Sequence, residues 1–135
     1  MVYAVIDTNI FVSAFITKNA TASTRRVINS LFAGKIKPLY NDEIIEEYSE
    51  VLHRSKFHLA DKDIQSLLYF IQTNGIDSSR FPYYGDMPDE DDRVFYEVAL
   101  SEEDSFLVTG NLKHFPKTPK VVTAAKMMEI LDHEE

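Results

Sequence analysis

The sequence predicts an α/β domain built on a largely parallel sheet. Three observations carry that prediction. Val2-Tyr3-Ala4-Val5-Ile6 is a short, mostly apolar run rich in β-branched residues. Such a run suits a strand buried on both faces, the usual state of a central parallel strand. Strand-like and helix-like stretches then alternate along the chain, the pattern of α/β folds. Finally, the first run stops at a carboxylate, Asp7. In open α/β sheets the carboxyl ends of the strands are where ligands bind, and a carboxylate there is costly unless something pairs with it. Asp is also a favoured helix N-cap, so these residues alone leave cap and site both open.

The remaining elements follow in order. Ile10 to Ile16 is apolar and fits a helical turn or two. Thr21 to Phe32 reads as a helix with Val27, Ile28, Leu31 and Phe32 on one face, and Gly34 follows as its C-cap. Lys37 to Tyr40 is a short strand. Asn41 to His53 is a helix whose inner face is Ile44, Ile45, Tyr48, Val51 and Leu52. Asp61 caps a third helix carrying Ile64, Leu67, Leu68 and Ile71, and Asn74-Gly75 ends it. Ile76 to Phe81 is expected as a strand and Pro82 to Pro88 as a loop. Glu90 to Ser101 is a helix, Ser105 to Thr109 a strand, Val121-Val122 a last short strand, and Thr123 caps a helix to Leu131. Asp7 and Gly110-Asn111 then share one edge of the sheet.

The totals narrow the function. At 135 residues the chain has the usual size of a single domain, and 44% hydrophobic residues supply a core. One domain over residues 1–135 is expected, with no repeat, linker or low-complexity run. Cysteine is absent, which excludes disulfides and thiolate metal sites. No signal-peptide pattern or membrane-length apolar run occurs, and a cytoplasmic location is expected. The net charge of −8 argues against a broad electrostatic grip on nucleic acid. It favours cations or a basic partner where acids cluster.

Most of the acids are ordinary solvated charge, and helical phase singles out a few. In the Asn41–His53 helix, Glu43, Glu46 and Glu50 point roughly 140–160° from the apolar centre. Glu47 lies only about 100° away, at the core boundary. In the helix beginning near Glu90, Asp91 falls within about 10° of the apolar centre if the helix is regular there, and Asp92 about 90° off. Acids are favoured in a first helical turn, which accounts for one or two of Asp89 to Asp92 but less well for an inward one. Carboxylates brought close together repel and resist ionisation. A hard divalent cation relieves that repulsion and prefers oxygen ligands. Asp7, Glu47 and Asp91 are therefore the expected ligands and catalytic acids of a Mg²⁺ or Mn²⁺ site.

Four stretches, "AVIDTNIFVSAF", "NDEIIEEYSEVL", "MPDEDDRVFYEVAL" and "SFLVTGNLKHFP", together resemble the PIN-domain family in order and spacing. They are most similar to the toxin components of prokaryotic toxin–antitoxin pairs. The resemblance implies a three-layer α/β/α fold and a metal-dependent ribonuclease. Its acidic positions fall on Asp7, Glu47 and Asp91, with Asp92 as a close competitor, and its supporting polar positions on Asn9 and Thr109. Many members carry Asp where this chain has Asn111, an amide that can ligate but brings no charge. The implied partners are an RNA substrate, a small antitoxin covering the acidic cleft and a second copy of the chain in a homodimer. Lys113, His114, Lys117 and Lys120 offer a local basic rim for RNA, or are simply a solvated loop.

Asn111 also supports a competing expectation, a catalytically weak domain that works by binding RNA or protein. Two other acidic α/β families fit less well. A haloacid-dehalogenase-type phosphatase needs a second Asp where Asn9 stands, and a response-regulator receiver needs an acidic pair where Asp7 is alone.

Overall fold

Val2–Ile6 (β1) forms the middle strand of the sheet, as its apolar run requires. The structure is a computed structural model and describes residues 1–134. From β1 the chain continues through α1 (Thr8–Ile16), α2 (Ser23–Phe32), β2 (Ile36–Tyr40), α3 (Asp42–Leu52) and α4 (Asp61–Asn74). It then forms β3 (Ile76–Asp77), α5 (Arg93–Leu100), β4 (Ser105–Val108), β5 (Val121–Val122) and α6 (Ala124–His133). The five strands run parallel in the order β3-β2-β1-β4-β5. Helices flank the sheet in the three-layer α/β/α arrangement, with α2 packing on α1 and α6, and α3 on α4 and α5. None of the described helices is long and apolar enough to cross a membrane.

Local chemistry explains most of the element ends. Asn41 caps α3 by accepting the Ile44 amide at 2.9 Å, and Thr123 caps α6 by accepting the Lys126 amide at 3.1 Å. Gly34 follows α2 at φ +82°, in the left-handed region that glycine tolerates. At Gly75 a Cβ would lie 2.5 Å from the carbonyl oxygens of both Ile71 and Pro38. Only glycine lets α4 turn so closely onto β2. Within α3 the buried stripe is Ile44, Tyr48 and Leu52, and burying an aliphatic side chain of this size contributes about 1.5–3 kcal/mol.

Three expectations need correction. Asp61 is not the cap of α4. It lies inside the first turn and accepts from His53 Nε2 at 2.7 Å, while Ala60 occupies the cap position. The strand expected over 76–81 stops at Asp77. Beyond it, Arg80 is drawn to Glu97 and Glu43, and Phe81 stays exposed, so no apolar alternation remains to bury. The helix expected from Glu90 begins as a 3-10 turn, Glu90–Asp92, and becomes α-helical only at Arg93.

Candidate metal centre at the carboxyl edge

Register brings the first two site residues together. Ile6 pairs with Val108 across β1 and β4, so Asp7 and Thr109 leave the sheet side by side. Thr109 is fully buried, and its hydroxyl donates to Asp7 Oδ2 at 2.7 Å. The same hydroxyl oxygen accepts the Asn111 amide at 3.0 Å. Asn9 closes the arrangement by accepting the Gly110 amide on Oδ1 at 3.1 Å. Asp7 occupies the N-cap position of α1, but its carboxylate closes no cap hydrogen bond. It is only 7% exposed. Burial pushes its pKa up, against the Thr109 hydroxyl, the nearby Thr8 and Asn9 amides and the charge of His114.

Tyr48 brings α3 to this edge. Its ring is fully buried, edge-on to Phe11 with centroids 5.0 Å apart, and its hydroxyl donates to the Ile6 carbonyl, one residue before Asp7. Glu47, the preceding residue, is thereby held half-buried beside the acidic edge. Its pKa is raised by burial first, then by Glu50, with Asp7 and Asp91 adding like-charge repulsion and Arg54 opposing.

The acids of the 3-10 turn differ from the phase expectation. Asp91 is exposed, whereas the Asp92 side chain is only 17% exposed. Residues of a 3-10 turn advance by about 120° rather than 100°. This turn also hangs from its own cap, with Asp89 Oδ1 accepting the Asp91 amide at 3.0 Å. Extrapolating the α5 phase backwards therefore selects the wrong one of the two as inward-facing. Burial, with the charges of Asp7 and Asp89 behind it, pushes the Asp92 carboxyl up to about 6. Its buried Oδ2 faces His114 Nδ1 at 3.3 Å, and that ring partly offsets the upward push.

The profile of the PIN-domain family matches residues 3–113, which span every element just described at this edge. The chain belongs to the PIN-domain family. PIN domains are generally nuclease domains and usually use divalent metal ions. No curated protein matches the chain.

In this PIN domain the donor set suits such an ion. Among the described residues, no three acidic or histidine side chains form a ready-made cage. Mg²⁺, however, is usually held by one or two carboxylates plus waters and substrate phosphates. Asp7 and Asp92 supply hard oxygen donors whose charges repel each other without a cation. Glu47, half-buried, feels the charge of Asp7, and Asp91 is exposed on the 3-10 turn.

The basic rim divides. Lys113 and Lys117 are exposed. His114 belongs with the acids instead, its ring between Asp92 and the Asn111 amide, which lies 2.9 Å from Nε2. Lys120 is at the opposite edge. Its ammonium donates to the carbonyls of Glu102, Glu103 and Ser105, the last at 2.7 Å, where β4 begins. An amine consumed in this way, with its pKa lowered by burial, does not reach the acids.

Glu97 has no counterpart among the expected site residues. It is buried, and its carboxylate accepts from Arg80 Nε at 2.7 Å and from the Tyr83 amide at 2.8 Å. It anchors the loop that leads to Asp89–Asp92. Its only sequence signal is one charge inside the apolar run "VFYEVAL".

Proposed function

We propose that this PIN domain is a metal-dependent endoribonuclease that hydrolyses RNA phosphodiester bonds, acting as the toxin of a toxin–antitoxin pair. The observation that carries the nuclease half is the pair of largely buried carboxylates, Asp7 and Asp92, gathered at the carboxyl edge of the sheet, where like-charge repulsion adds to burial in pushing the Asp92 carboxyl up. Asp7 and Asp92 would hold Mg²⁺ or Mn²⁺, with Glu47 and Asp91 contributing from the rim. Bound there, the ion would activate a water for in-line attack and neutralise the charge that develops on the phosphate. Glu47 orients the attacking water. Thr109 fixes the Asp7 carboxylate, and the Asn111 side chain would offer a neutral amide to the substrate phosphate. The toxin half rests on the sequence resemblance and on the net charge of −8, which suits a small, basic antitoxin over the acidic edge.

A labelled RNA incubated with highly purified protein and Mn²⁺ is expected to be cut, and Asp7→Asn, which removes a ligand charge at nearly constant volume, is expected to abolish the cutting. Full activity in that variant would remove the acidic edge as the site. Asn111 favours a second reading, a PIN domain that chiefly binds RNA or protein, since this position brings no charge to a metal. Metal-dependent cleavage lost in Asp7→Asn rules that reading out.

A further inference from the structure

We infer that a small apolar cavity beside the acidic edge receives an unstacked base of the RNA substrate, an assignment that rests on the nuclease reading above. The cavity measures about 260 Å³, and Leu112, Phe115, Pro116 and Val121 form its apolar walls. Leu112 belongs to the same 3-10 turn, Leu112–His114, as the histidine that contacts Asp92. The turn that supplies a wall of the cavity thus also supplies the ring that faces Asp92. Lys113 and Lys117 also line it, and among the described residues neither forms an ion pair with an acid.

Two properties select a nucleotide over an apolar protein side chain. On a chain of net charge −8, two unpaired lysines flanking an apolar hollow match a base with a phosphate on either side. The hollow is below the roughly 300–1,000 Å³ usual for larger ligands, in keeping with a single ring system. Single-stranded nucleic acids are commonly held by this pairing of a basic track with flat apolar contact.

The test separates base from backbone. Affinity is measured by fluorescence anisotropy, with EDTA present to prevent cleavage, on a labelled oligoadenylate of about ten nucleotides and on an abasic ribose-phosphate chain of equal length. Leu112 is 46% exposed, so Leu112→Ala leaves the fold intact. It is expected to weaken oligoadenylate binding roughly tenfold, the loss of about one stacked base, and to leave the abasic chain nearly unaffected. Lys117→Ala should weaken both ligands alike. Equal loss on both ligands in Leu112→Ala, or no loss on either, overturns the base pocket; the second result is the one expected if the hollow takes a protein side chain. Mn²⁺-dependent cleavage by the wild type is scored separately. Base-selective loss without any cleavage overturns the nuclease reading and keeps the pocket. Cleavage with binding unchanged in Leu112→Ala does the reverse.

Discussion

Asp92 is held where its charge is unwelcome without a cation. Its carboxyl is raised from 3.8 to about 6, so the folded chain keeps a proton there that the unfolded chain has released. In metal-free protein this costs stability progressively as pH rises from about 4 to about 6, and below that window both states are protonated and the penalty vanishes. Asp92→Asn removes the charge at nearly constant volume. With chelator present, the variant should exceed wild-type stability at pH 7 by about 1–2 kcal/mol, after allowing for screening at the open edge of the site. The gap should close near pH 4 in urea titrations. Mn²⁺ should raise the wild-type melting temperature, because it binds only the folded state, and should raise that of Asp92→Asn much less. In cleavage, Asp92→Asn should cost more than Asp91→Asn. The reverse order would show that the exposed acid of the turn, not the buried one, meets the metal. Asp7 was legible in the sequence because a lone carboxylate ends a buried strand. The choice between Asp91 and Asp92 was not, because it depends on one turn being 3-10 rather than α.

The elements were read mainly from apolar periodicity, which predicts which face of a helix is buried but not how far a helix slides along the sheet. That sliding is set here by Tyr48. Periodicity placed Tyr48 on the inner face of α3, and the structure adds that its hydroxyl donates to the Ile6 carbonyl and so seats Glu47 beside Asp7. No pattern within α3 reveals an acceptor 42 residues away. Likewise Lys120 looked like a neighbour of Lys117 along the chain, yet the return of the backbone to start β5 carries it to the far edge of the sheet. Tyr48→Phe keeps the ring against Phe11 and leaves the Ile6 carbonyl without its buried donor. Such a loss costs about 1–3 kcal/mol. Chemical denaturation should show that drop at an unchanged denaturant slope, since the exposed area on unfolding is the same. Cleavage should also fall as Glu47 loses its support. A variant as stable and active as wild type would mean that packing alone seats α3.

Over the whole molecule, the net charge of −8 opposes the RNA binding proposed above. Of the four basic residues between Asn111 and β5, only Lys113 and Lys117 remain free for phosphate, because His114 is engaged with Asp92 and Lys120 with backbone carbonyls. On the proposed ribonuclease reading, this turn gives RNA few phosphate contacts, supplemented by apolar contact and by the metal. Salt dependence measures this directly. Each phosphate neutralised on a single strand contributes about −0.7 to the slope of log affinity against log salt. Two lysines predict a slope of about −1.4 without metal, far shallower than that of proteins with an extended basic face. Replacing both Lys113 and Lys117 by Ala should bring the slope close to zero while leaving metal-dependent thermal stabilisation unchanged, because neither lysine touches the acids. A wild-type slope steeper than about −3 would require four or more phosphate contacts. The basic surface holding RNA would then lie elsewhere on the molecule, and the turn after β4 would not be its track.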